Sequence, residues 1–193
     1  TESSRELVNS HDVKEIISIV EKFLEDKKLI CYGGTAINNI LPKKDQFYNY
    51  DQEIPDYDFF SDNALDDAKE LANIYYKEGF TEVVASAGMH FGTYKVFVNY
   101  IPVADITQIS KPIFKRLHKD AVNVNNILYC PPDFLRMLMF LELSRPLGDV
   151  GRWEKVLKRL TLLNNNYPLK AEKCNFENFQ RIFEGKENYS HIY

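Results

Sequence analysis

The chain has few cysteines, no excess of positive charge and no long apolar run. Each shortage removes a class of function. Cys31, Cys130 and Cys174 are far apart and form no C-x-x-C pair. That spacing argues against a disulfide framework or a structural zinc site and fits a reducing compartment. No apolar stretch approaches the roughly 20 residues needed to span a bilayer. The polar opening Thr1-Glu2-Ser3-Ser4-Arg5-Glu6 does not read as a signal peptide. The first residue is not Met and the last four are Ser190-His191-Ile192-Tyr193, as expected of a piece of a longer protein. A net charge of −4 argues against a protein that coats nucleic acid indiscriminately. It leaves room for an enzyme that holds nucleic acid locally, because bound metals offset acidic site residues. There is no Gly-x-x-x-x-Gly-Lys-Ser/Thr and no Gly-x-Ser-x-Gly, so a P-loop ATPase and acyl-transfer chemistry have no support. His90 and His118 stand alone and read as surface or satisfied strand positions.

The 193 residues are 45% apolar and 13% aromatic, enough for one domain, or one and part of another. Helical spacing predicts a helix over 11–27, with Ser10 as its cap. A short apolar strand, Leu29 to Tyr32, runs into Gly33-Gly34 and a helix from Thr35 to Leu41, stopped by Pro42. Residues 43–53 are polar with interleaved aromatics and read as a loop excursion. A strand follows over 54–60, then a helix over about 63–77 with Gly79 as its stop. Residues 80–87 and 90–100 read as paired strands around Gly88, and 102–107 as a further strand. A basic helical turn is predicted over 111–119, and 121–130 as a returning strand. From Pro131 the pattern turns helical, with Leu135, Leu138, Met139 and Leu143, then Trp153, Val156, Leu160 and Leu163, on two apolar stripes. The boundary falls near 130: a sheet domain over 1–130, then a helical segment over 131–193 that begins a larger second domain.

Three constellations carry chemistry. Gly33-Gly34-Thr35 joins a strand to a helix, so the backbone can approach a ligand and the helix start offers N–H groups to phosphate; the plain alternative is a tight turn. Asp56 and Asp58 flank Tyr57, two apart, and so share a strand face. Asp105 faces outward from the strand whose Ala104 and Ile106 point in. Crowded carboxylates repel unless a cation lies among them. Three of them suit a pair of divalent ions roughly 3.5–4 Å apart; edge or turn positions are the plain alternative for Asp56 and Asp58. The third set is basic: Arg145, Arg152, Lys155, Lys158 and Arg159, with Lys111, Lys115 and Arg116. Spacings of three and four put Arg152, Lys155 and Arg159 on one helix face, as a wall for phosphates or a solvated surface. Phe47, Tyr48 and Tyr50 either stack on a base, anchor the excursion or meet another chain.

The order strand, Gly-Gly, helix, Asp-aromatic-Asp, later lone Asp resembles the nucleotidyltransferase superfamily typified by DNA polymerase beta, over residues 29–107. Three longer stretches narrow it: Tyr32 to Asn38, Ile54 to Ser61, and Ser144-Arg145-Pro146 through Gly148-Asp149, Gly151-Arg152-Trp153. Together they look like the poly(A) polymerase catalytic subunits of large cytoplasmic DNA viruses, of mimivirus and asfarvirus type more than poxvirus type. That resemblance covers about residues 11–165. The stretch from Thr35 to Pro55 is longer than the superfamily's usual spacing, and the surplus falls in the polar excursion.

The resemblance implies an α+β nucleotidyltransferase fold. Its sheet is mixed and mostly antiparallel, flanked by helices and followed by a helical segment. It implies template-independent transfer of AMP from ATP to an mRNA 3′ end by two Mg²⁺ ions, with Mn²⁺ as a substitute. Gly33, Gly34 and Thr35 would cradle the triphosphate, with Arg152 and Lys155 behind them. Asp56 and Asp58 would hold both ions; Asp105 would hold the catalytic one and help deprotonate the 3′-hydroxyl. Implied partners are RNA, ATP and either a second copy or a viral processivity subunit, with no membrane. The implied place is the cytoplasmic viral factory, and packaging in the virion. Two rival functions use the same residues: a nucleotidyltransferase with another acceptor (a tRNA end, a small molecule or a protein), or a non-catalytic RNA-binding scaffold.

Overall fold

The computed structural model describes residues 2–145 and 147–169. Cys174, Pro146 and the last part of the predicted helical segment lie outside them. An unanticipated short helix, α1 (Glu2–Val8), leads into α2 (His11–Lys27). The Ser10 hydroxyl accepts from Val13 N at 3.3 Å, as the cap pattern predicts, and Lys28 closes α2 in the left-handed region. Val13, Ile16, Val20, Phe23 and Leu24 form its buried stripe. Strand β1 (Ile30–Tyr32) passes directly into α3 (Gly33–Ile40). The excursion holds a 3₁₀ turn, Lys43–Asp45, and ends at β2 (Tyr57–Ser61), three residues later than the sequence pattern suggests. Asp56 therefore stands at the mouth of the strand and not inside it.

Helix α4 (Ala64–Lys77) is followed by Gly79 at φ +98°. It is pinned to α2 by Tyr75, whose hydroxyl donates to the Ile16 carbonyl at 2.6 Å. Strands β3 (Val83–Ala87), β4 (Thr93–Val98) and β5 (Ile101–Gln108) form a meander. Asn99 and Tyr100, both at positive φ, make the two-residue turn between β4 and β5. Helix α5 (Lys111–Lys119) precedes a hairpin, β6 (Val122–Val124) and β7 (Ile127–Tyr129). The one returning strand expected over 121–130 is thus two, because Asn125-Asn126 supplies both left-handed residues of a tight turn. The helices α6 (Pro132–Leu143) and α7 (Trp153–Asn166) pack on each other.

The seven strands lie in the order β3-β4-β5-β2-β1-β7-β6. Only β1 with β7 and β2 with β5 run parallel; the other neighbours are antiparallel. Strand alternation decides what each face does. Tyr57 and Phe59 point to α2, where the Tyr57 hydroxyl donates to Glu21 at 2.7 Å and Phe59 meets Phe23. Phe60 points the other way, stacked on Tyr32 and edge-on to Phe134 of α6. Asp58 lies on that second face, with Phe60. Cys31 and Cys130 are buried free thiols. No helix among the described residues is long and apolar enough to cross a membrane.

Candidate active site

The parallel pairing of β2 with β5 sets Asp58 directly beside Asp105. The antiparallel neighbour β4 sets Lys95 on the other side of Asp105, and its ammonium donates to Asp105 Oδ2 at 2.7 Å. Across β1, Tyr32 pairs with Asp58. Its hydroxyl meets Thr107 at 2.9 Å, and Thr107 meets Thr93 at 3.1 Å. These polar side chains share one face of the sheet and fix its register locally.

The Gly-Gly turn closes on this face. Gly33 has φ +74°, and a Cβ on it would lie 2.6 Å from Asp58 Oδ2, so only glycine fits against the carboxylate. A Cβ on Gly34 would lie 2.6 Å from the Tyr48 hydroxyl and 2.8 Å from Arg159 Nη1. Thr35 is buried, and its hydroxyl donates to the Asp56 carbonyl at 2.7 Å, tying α3 to the mouth of β2. A small cavity of about 160 Å³ is lined by Gly34, Thr35, Tyr48, Tyr50, Asp56 and Asp58, among others.

The charge balance at this end of the sheet is unfavourable as it stands. Burial, then Asp56 and Asp105, push the Asp58 carboxyl up to about 7, against relief from Lys95 and Arg152. Asp56 is pushed up to about 6 by burial of its carboxyl and by Asp105. Its residue is exposed on one side, where water screens it, so Asp58 is the more telling of the two. An oxygen-only set of three carboxylates, two of which resist ionising, is the donor chemistry of a hard divalent cation.

The basic residues separate. Arg152, Lys155 and Arg159 come together: Arg159, then loss of solvent, then Arg152 lower the Lys155 ammonium pKa, with Glu142 opposing. Arg152 also binds Glu142 at 2.8 Å. Arg159 lies 4.8 Å from the Phe47 ring centre and 5.4 Å from that of Tyr48, and donates to the Tyr48 hydroxyl at 2.8 Å. Lys158 is drawn aside by Glu154 and Arg116 by Asp120, each one helical turn away. Phe47, Tyr48 and Tyr50 therefore anchor the excursion: Tyr50 donates to Asn39 at 2.8 Å, and Asn38 Oδ1 accepts from Phe47 N and Tyr48 N. Sequence patterning missed Lys95. Its signal was a lysine in an alternating strand, which is opposite Asp105 only because the β4–β5 ladder shifts by one residue between Val96 and Phe97.

Comparison with known proteins gives one family. The family model described as poly(A) polymerase catalytic subunit matches residues 18–149. A protein named after that family from African swine fever virus (isolate Pig/Kenya/KEN-50/1950) is 30% identical, over 88% of this chain and 37% of its own length. One from Acanthamoeba polyphaga mimivirus is 32% identical, over 82% of this chain and 27% of its own. Among solved structures, the Megavirus polyadenylate synthase superposes with a TM-score of 0.78 at 29% identity, covering 86% of this chain and 33% of that one. This chain spans about a third of the length of such relatives.

Proposed function

Because this chain belongs to the poly(A) polymerase catalytic subunit family, we propose that the full-length protein is a template-independent RNA 3′-end adenylyltransferase that uses ATP. The observation that carries this is the register of Asp58 beside Asp105, with Asp56 at the strand mouth and Gly33 held against Asp58. The acceptor hydroxyl attacks the α-phosphate of ATP in line, and pyrophosphate leaves. Gly33, Gly34 and Thr35 receive the triphosphate at the start of α3, where an added Cβ would be strained at Gly33 and would press on the ends of Tyr48 and Arg159 at Gly34. Arg159, Arg152 and Lys155 face its negative charge. Asp56 and Asp58 are the residues that would hold two Mg²⁺ ions, or Mn²⁺ in their place, and Asp105 joins them on the primer side. Bound there, the ions would lower the pKa of the 3′-hydroxyl and neutralise the leaving group. Asp105 assists removal of the hydroxyl proton.

Asp56 and Asp58 carry an ionisation cost that a pure scaffold has no reason to keep, which favours catalysis over passive RNA binding. The relatives are viral proteins, which supports a place in the cytoplasmic factory of an infected cell and packaging in the virion. The proposed partner is a second copy or a processivity subunit. The test uses the full-length protein, an RNA primer, each NTP in turn, and Mg²⁺ or Mn²⁺. Extension by many residues with ATP alone is expected. The double variant Asp56→Asn with Asp58→Asn should fold and extend nothing. Absence of extension with every NTP under both metals would overturn the proposal, and normal extension by the double variant would overturn the site. Addition of a single nucleotide to a tRNA end or a small acceptor would move the reading to the rival enzyme class.

A further inference from the structure

Lys95 is held in place by the fold. Its position in β4 is opposite Asp105 by ladder register, and the irregularity between Val96 and Phe97 creates that pairing, since the register set by the turn at Asn99-Tyr100 alone would put Lys95 opposite Ala104. Its ammonium sits 2.7 Å from Asp105 Oδ2, with the lysine side chain 39% exposed and the aspartate side chain 21% exposed. The charge of Lys95 also acts on Asp56 and Asp58.

The carboxylates themselves are not gathered as a clamp. Among the described residues, the group of three whose ligand atoms lie within 4.8 Å of one another is His11, Asp12 and Glu15, in the exposed first turn of α2. The triad of Asp56, Asp58 and Asp105 does not meet that distance, and one Asp105 oxygen is drawn to Lys95.

We propose that Lys95 is a built-in counter-ion of the triad, which a divalent ion must displace from Asp105 before the site is complete. This rests on the reading of the triad as a metal site. A single positive charge on a flexible stem suits this role, because it offsets part of the carboxylate repulsion and can swing away. Arginine would hold the carboxylate through two fixed bonds and release it less readily. Lys95 therefore sets how tightly the protein holds a divalent ion before any substrate arrives.

The experiment is titration of the full-length protein with Mn²⁺, without nucleotide or RNA, reading free Mn²⁺ by electron paramagnetic resonance. Wild type, Lys95→Gln, Lys95→Arg and Asp58→Asn are compared, and a thermal melt confirms that each is folded. Removing the competing charge should tighten Mn²⁺ binding by about tenfold, the equivalent of about one pKa unit of interaction. Lys95→Arg should bind no more tightly than wild type, which separates charge from shape. Asp58→Asn should lose the tight site. If Lys95→Gln binds as wild type or more weakly while Asp58→Asn has lost the ion, the inference on Lys95 fails and the metal site stands. If Asp58→Asn binds Mn²⁺ like wild type, the triad is not the metal site and both fail.

Discussion

At the scale of single residues, Asp58 and Gly33 make the sharpest claims. The Asp58 carboxyl is raised to about 7 in the folded chain, against about 3.9 in an unfolded one. The folded state keeps the proton over a range where the unfolded state has lost it. Without divalent metal, stability is therefore fully present below about pH 4 and falls as pH rises towards about 7. Asp58→Asn removes this cost, so in chelator at pH 8 it should be more stable than wild type by about 1 kcal/mol or more. Thermal melts across pH 4 to 8 check it; parallel curves for the two proteins would refute it. For the same reason Mn²⁺ must displace a proton from wild type below about pH 7, and its affinity should weaken there. Gly33→Ala puts a methyl 2.6 Å from Asp58 Oδ2 at φ +74°. It should cost about 1–2 kcal/mol in backbone strain and lower Mn²⁺ affinity as well. Gly79→Ala is the control, since φ is +98° with nothing within 4 Å of the added atom. It should lose stability alone, and an equal loss of Mn²⁺ affinity in both variants would break the argument.

At the scale of elements, the excursion between α3 and β2 is a strap from the Gly-Gly turn to α7. Asn38 accepts two of its backbone N–H groups, Asp45 accepts from Asn166 at 2.9 Å, and Tyr48 holds Arg159 over Gly34. Tyr48→Phe removes one bond to a guanidinium and leaves the ring. It should reduce ATP affinity of the full-length protein by up to about tenfold, with little change in melting temperature. Arg159→Ala should weaken it more. Unchanged ATP binding by Tyr48→Phe, beside a weakened Arg159→Ala, would show that the strap does not position the arginine. This element also marks where sequence stopped being informative. Periodicity placed α2, α4, α6 and α7, because each buries a stripe against the core. Alternation put Tyr57 and Phe59 on one face and the aspartates on the other. The strap has neither period nor run; its order comes from Asn38, Tyr48 and Tyr50 meeting partners far along the chain. The hairpin of β6 and β7 was hidden for a related reason, since two asparagines carry a left-handed turn that glycine usually announces. Lys95 became visible only when two strands had a register.

At the scale of the whole molecule, the core crosses the boundary proposed near residue 130. Leu135, Met139, Val156, Leu160 and Leu163 belong to the same buried cluster as Ile30, Phe59 and Ile106. Polar ties run the same way: the Tyr167 hydroxyl donates to the Ile40 carbonyl at 2.8 Å, and buried Arg136 binds Asp133, Asn164 and the Tyr167 carbonyl. The helices after 130 thus complete the hydrophobic layer over Phe60 and bring Arg152, just before α7, together with Lys155 and Arg159 of α7, with the charge of Arg152 felt at Asp58. A piece ending at Cys130 loses these five buried apolar side chains, each of which contributes about 1.5–3 kcal/mol when taken out of water. That sum is of the same size as the total stability of an ordinary domain, about 5–15 kcal/mol. Residues 1–130 alone should therefore bind apolar dye and melt without a cooperative transition, whereas residues 1–169 should give one. A cooperative melt for 1–130, with low dye binding, would show that the sheet half is self-sufficient. In that case the segment 150–166 would be a separable carrier of Arg152, Lys155 and Arg159, and the proposed triphosphate wall would form only as the two parts close.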